Sequence, residues 1–202
     1  VLESIMPGIS GDYGEAIFPI IGNWAGAYHT HRGLWCGGAD ARESFRMWVE
    51  EQHGSINRLN HAWRSHYDRF ETIEPFLQHR APSATAWFEL VQWYRHSMTD
   101  YAAFVMLELK RKFPTEARYL ITGGDETVEH GSLFAAQAKV AAATEAGIRL
   151  TNEGNKFYDN FDATAPTWSA CQFYGAGLGL EPVGPITPRG LRERVFGSLA
   201  QG

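Results

Sequence analysis

ARYLITGGDETVEHGSLFAAQAKVAAATEAGIRLTNE, residues 117–153, decides the fold. Ala117 to Thr122 is a short apolar run closed by Gly123 and Gly124, the length and punctuation of a buried strand. From about Ser132 to Ala146 an Ala-rich stretch has the propensity of a helix, and Ile148 to Thr151 returns to strand. The unit then repeats downstream, with a helix over Phe161 to Tyr174, a strand over Gly177 to Leu180 and a last helix over Gly190 to Ala200. Strands alternating with helices over short connections imply parallel strands joined by crossovers.

Upstream the pattern changes. Residues 1–23 are short apolar pieces punctuated by Gly8, Gly11, Gly14 and Gly22, read as one strand entering a loop, with Pro7 weakening it. Between Ala39 and Asn60, Phe45, Trp48, Val49, Ile56 and Leu59 recur at helical spacing, with a break expected at Gly54. Ser83 caps the longest helix, whose inward face carries Trp87, Leu90, Val91, Tyr94, Met98, Tyr101, Val105 and Leu109, and Pro114 ends it.

Charged and polar residues stand just past each strand: Asp12 and Glu15, then Asp125, then Asn152 and Glu153, then Glu181. An eight-stranded (β/α)₈ barrel builds its active site on that face. A nucleotide-binding sheet would need a glycine-rich phosphate fingerprint opening a helix, and the chain has none of the usual form. The expected fold is therefore α/β, a (β/α)₈ barrel, of which residues 1–202 supply only the second half, about strands four to seven. A helical insertion at about 39–113 separates the first two of these strands. A whole barrel takes about 250 residues. The chain is therefore expected to be a segment of a longer polypeptide, or to complete its barrel with a second copy, and to lack robust activity alone.

Composition narrows the function. The 202 residues carry a formal net charge of -5, and nucleic-acid affinity rests on clustered Lys and Arg, so no nucleic-acid partner is expected. No run approaches the roughly 20 apolar residues of a membrane span, so no membrane partner is expected; the reading is of a soluble protein with the cytoplasm favoured. The seven Trp suit stacking on sugar faces as well as core packing. Cys36 and Cys171 match no metal or redox spacing and are read as free thiols. His29 and His31 alternate as a metal-binding pair would, but no third ligand shares their spacing; no metal or other cofactor is expected.

Phe45-Arg-Met-Trp-Val-Glu-Glu-Gln-His-Gly-Ser-Ile-Asn-Arg-Leu-Asn-His-Ala-Trp63, continuing to Tyr67, Phe70 and Ile73-Glu-Pro75, resembles the helix and loop after the acid/base strand of family 42 β-galactosidases. Gly11-Asp-Tyr-Gly-Glu-Ala-Ile-Phe-Pro19 is similar in place to that family's Asn-Glu-Tyr-Gly motif, and also to the Gly-Glu-x-x-Tyr-Pro motif of family 14 β-amylases. The first comparison makes Asp12 the acid; the second makes it Glu15, which the Gly-Glu and following Pro favour. The Asn that usually precedes the acid and the cysteine cluster of some family 42 enzymes are missing, so the chain resembles a divergent relative.

In the retaining clan to which family 42 belongs, the acid/base glutamate follows strand four and the nucleophile strand seven. The resemblance thus implies a glycosidase, retaining and β-galactosidase-like, with Glu15 and Glu181 as the catalytic pair. Such cleavage needs one carboxyl to protonate the leaving oxygen and another to meet the charge at the anomeric carbon. Tyr13, Phe18, Trp24 and Trp35 are candidate ring walls for the acid. Asp12, Trp35, Asp125, Asn152 and Glu153 are the candidate sugar-binding residues, with Glu153 a rival nucleophile. Two other classes stay open: a metal-dependent barrel hydrolase using His29 and His31, and a carbohydrate-binding half-barrel without catalysis.

Overall fold

The computed structural model describes residues 2–11, 14–19, 33–123, 126–153, 157–182 and 187–201. In chain order its main elements are β1 (Ser4–Ile5), α1 (Ala39–His53), α2 (Ile56–Trp63), α3 (Ala84–Lys112), β2 (Ala117–Thr122), α4 (Phe134–Ala143), β3 (Gly147–Glu153), α5 (Phe157–Tyr174), β4 (Gly177–Pro182) and α6 (Pro188–Gln201). The chain divides into two compact units, one of residues 1–19 and 98–202 and the other of residues 20–97.

In the first unit the four strands pair in parallel in the order β1-β2-β3-β4. Each strand lies beside its predecessor with no reversal of order, the progression of a barrel wall rather than of a doubly wound sheet, whose order reverses at a switch point. β1 is only two residues long, shorter than the apolar pieces before Gly8 suggest.

Register sets which side chains share a face. Leu120 is opposite Ile148, and Ile148 opposite Leu178. These three pack with Met98, Ala102 and Met106 of α3, Ala138 and Ala141 of α4, and Ala170 and Cys171 of α5. The alanines let the helices lie close to the sheet, and the residues between these leucines and isoleucine turn to the other face by the period of two. Burial pushes the Cys171 thiol up to about 11 and raises Cys36 as well, so neither cysteine has the thiolate a nucleophile needs.

Arg118, at the start of β2 and buried, ties two helix ends together. Its Nη1 donates to Phe113 O (2.6 Å) and Glu116 O (2.8 Å) after α3, and its Nη2 to Thr144 O (3.2 Å) and Glu145 O (3.3 Å) after α4. Carbonyls at helix ends have no partner within the helix. Arg118→Met is expected to cost about 3 kcal/mol, since several hydrogen bonds to a charged donor are lost together; urea denaturation of the parent and the variant measures it.

The second unit is helical. Gly54 ends α1 in the left-handed region (φ 65°), its N–H donating to Glu50 O, and Ser55 caps α2; the break falls where the sequence indicates. Phe45, Val49, Leu59, Trp63, Ile73, Leu90 and Tyr94 are buried. Glu89 Oε2 accepts from His53 Nε2 and Trp63 Nε1, both at 2.8 Å, pinning α1 and α2 to the first part of α3. Ser83 Oγ accepts from Ala86 N at 3.1 Å at the start of α3.

The inward face of α3 needs correction at Tyr101, which is 50 % exposed, while Ala102 and Met106 are buried. The buried stripe advances by four, through Leu90, Tyr94, Met98, Ala102 and Met106. Because four residues exceed one turn of 3.6, it winds round the helix. α3 belongs to one unit up to Ser97 and to the other from Met98, and each unit buries its own part of that winding stripe. Among the described residues no helix is long and apolar enough to cross a membrane.

Candidate active site

Glu15 is placed by a glycine-built loop. Ile9 N donates to Gly14 O (3.0 Å), Gly14 N to Gly11 O (3.0 Å), and Gly11 N to Glu15 O (2.9 Å). Gly14 has φ +88°, and a Cβ there would lie 2.8 Å from Gly8 Cα. Only glycine fits both the conformation and the approach. The chain then runs beside the end of β2, with Ala16 N donating to Ile121 O at 2.9 Å.

Ala16, the next residue after Glu15, lies in the core between sheet and helices. Glu15 is 2 % exposed, and Thr151 Oγ1 of β3 donates to its Oε1 at 3.2 Å. A Cβ at Gly11 would come within 2.4 Å of Glu15 Oε2. The absence of a side chain at residue 11 is what leaves room for the carboxyl.

Glu181 lies near the end of β4. Its side chain is 44 % exposed and forms an ion pair with Arg149 Nη2 of β3. Arg149 pairs in register with Gly179, which puts no side chain beside the guanidinium, and Glu181 follows two residues on along the same face. Arg149 Nη1 also reaches Met6 Sδ, just after β1, at 3.3 Å. β3 thus supplies a contact to each candidate carboxylate: Thr151 to Glu15 and Arg149 to Glu181.

The charge on Glu181 is therefore compensated and half-solvated. Phe18 packs against the helix-side core. Trp35 belongs to the helical unit, 37 % exposed, with its backbone N–H donating to Tyr94 OH at 3.1 Å.

Asp12, Tyr13, Trp24, His29, His31 and Asp125 lie outside the described residues, as do the side chains of Asn152 and Glu153. The backbone of Glu153 pairs with Pro182 after a register shift beyond Leu150. Among the described residues no group of three or more His, Cys, Asp or Glu could hold a metal ion. Sequence reading missed Arg149, Thr151 and Gln137. The one signal for Arg149 was a lone charge between Ile148 and Leu150.

Residues 24–121 match the model of the Glyco_hydro_42 family, described as Beta-galactosidase. The matched segment is similar to that family. It holds the Phe45 to Pro75 stretch and extends into β2, just under half of the chain, and includes neither Glu15 nor Glu181. A search of curated proteins finds no match.

Among solved structures, the catalytic domain of β-amylase from Paenibacillus polymyxa superposes with a TM-score of 0.77 at 14% identity, over 98% of this chain and 55% of that one. The agarase AgWH50C matches with a TM-score of 0.49 at 11% identity, over 72% of this chain and 19% of that one. The chain thus spans about half the length of the β-amylase domain. Together with the unreversed order of parallel strands, this makes the fold α/β and part of a (β/α)₈ barrel.

Proposed function

We propose that this chain forms part of a retaining, β-galactosidase-like glycoside hydrolase, with Glu15 as acid/base and Glu181 as nucleophile in one cleft. The observation that carries the reading is the placement of Glu15: a carboxyl withdrawn from water past the end of a parallel strand, held by Thr151 of β3. Arg149 of that same strand holds Glu181. The family 42 match supports the substrate class.

In the proposed reaction Glu181 attacks the anomeric carbon while Glu15 gives its proton to the departing oxygen. Glu15 then takes a proton from water, which releases the sugar from Glu181. Arg149 orients the Glu181 carboxylate through a charge-assisted contact. Gly11 lies beside the Glu15 carboxyl. Asp12, Asp125, Asn152 and Glu153 are the proposed sugar-binding residues.

The reading includes completion of the barrel by further polypeptide or by a second copy. Leu191, Val195 and Leu199 on α6 are exposed, and their i, i+4, i+8 spacing makes one apolar stripe without cover among the described residues. Among the described residues β1 and β4 each pair on one side only, leaving edges suited to further strands.

The test is hydrolysis of 4-nitrophenyl β-galactoside by the barrel-complete form, with the first-formed anomer followed by proton NMR. β-Galactose appearing first is the expected result. α-Galactose appearing first would refute retention, and an inert β-galactoside would refute the substrate class.

A further inference from the structure

Gln137 of α4 has no sequence motif to single it out, yet it is fully buried within a helix otherwise rich in alanine. A buried amide is costly unless its hydrogen bonds are made. Its Nε2 donates to Ala16 O at 2.7 Å, and its Oε1 accepts from Thr122 Oγ1 at the end of β2. The amide orientation is fixed by chemistry, because the Ala16 carbonyl can only accept and must face the NH₂.

Ala16 is the residue after Glu15, and its N–H is already held by Ile121 O at 2.9 Å. Its backbone is therefore gripped on both sides, by β2 through the N–H and by α4 through the C=O. The carboxyl of Glu15 is held separately, by Thr151. We propose that Gln137 is a positioning residue, which fixes the backbone beside Glu15 from behind the sheet so that the carboxyl meets the leaving oxygen. This inference rests on the acid/base role of Glu15 stated above.

Misplacing a catalytic group by about 1 Å costs up to about a hundredfold, and for an acid the cost depends on the leaving group. An alkoxide needs its proton; 2,4-dinitrophenolate leaves without one. The experiment compares kcat/KM, which reports formation of the glycosyl-enzyme, for methyl β-galactoside and 2,4-dinitrophenyl β-galactoside in the barrel-complete form of the parent, Glu15→Ala, Gln137→Met and Gln137→Glu. Gln137→Glu keeps the size and the acceptor for Thr122; ionised it lacks the donor for Ala16 and protonated it regains one, so it is compared across pH and serves if Gln137→Met fails to fold.

Glu15→Ala serves as the reference and must lose far more activity on the methyl glycoside than on the dinitrophenyl one. The Gln137 variants are then expected to lose about tenfold to a hundredfold in kcat/KM on the methyl glycoside and under threefold on the dinitrophenyl one. Equal losses on both substrates would mean a smaller folded fraction and overturn the positioning role, as would unchanged kinetics. If Glu15→Ala itself shows no dependence on the leaving group, it is the acid role of Glu15 that fails, and this inference falls with it.

Discussion

Glu181→Gln is expected to lower kcat on β-galactosides by about four orders of magnitude, equivalent to about 5.5 kcal/mol of lost transition-state stabilisation. The amide keeps the shape of the carboxylate but cannot donate the electron pair that makes the glycosyl bond. Stability should change little. Glu181 is 44 % exposed, and partly solvated ion pairs of this kind are worth about 1 kcal/mol or less. The informative control is Arg149→Met, which breaks the same ion pair from the other side. If Glu181 is the nucleophile, losing Arg149 leaves it present but poorly oriented, and activity falls by about tenfold to a hundredfold. If the pair serves only to hold β3 to β4, the two variants should lose equally little. Activity of both variants within a factor of two of the parent, measured with 4-nitrophenyl β-galactoside, would remove Glu181 from the mechanism.

The parts of this molecule legible in its sequence are those governed by local periodicity. Ala117–Thr122 and Ile148–Thr151 announce themselves as strands by short apolar runs, and the glycine at 54 marks a helix end because a left-handed residue is cheapest there. Glu15 and Glu181 stood out because they follow such runs. What surrounds them did not. Thr151 meets Glu15 across 136 residues of sequence, and Arg149 meets Glu181 only because the register sets Arg149 opposite a glycine; one sequence carries no signal for register between distant strands. Gln137 shows the same limit, since a polar residue in an Ala-rich helix reads as exposed until its partners are seen.

Glu15→Ala is expected to separate the two steps of the reaction. Hydrolysis of methyl β-galactoside should fall by about a hundredfold to ten-thousandfold, the usual contribution of a positioned proton donor. Formation of the glycosyl-enzyme from 2,4-dinitrophenyl β-galactoside should be largely preserved, because that leaving group needs no proton. The second step then limits turnover, since water has lost its base. Removing a buried carboxyl also empties a space beside Thr151 Oγ1, and a small anion no longer meets a negative charge there. Azide should therefore accelerate turnover of the dinitrophenyl glycoside: its terminal nitrogen bonds to the anomeric carbon as the ester bond to Glu181 breaks, and Glu181 returns as a carboxylate. Two displacements at one carbon leave its configuration unchanged, so the product is β-galactosyl azide, identified by its proton coupling constants. An α-azide would mean a single displacement and would rule out the covalent role of Glu181. A loss of activity that is the same for both leaving groups and unmoved by azide would reduce Glu15 to a buried structural carboxylate, held between Thr151 and the space at Gly11 for the sake of the fold alone.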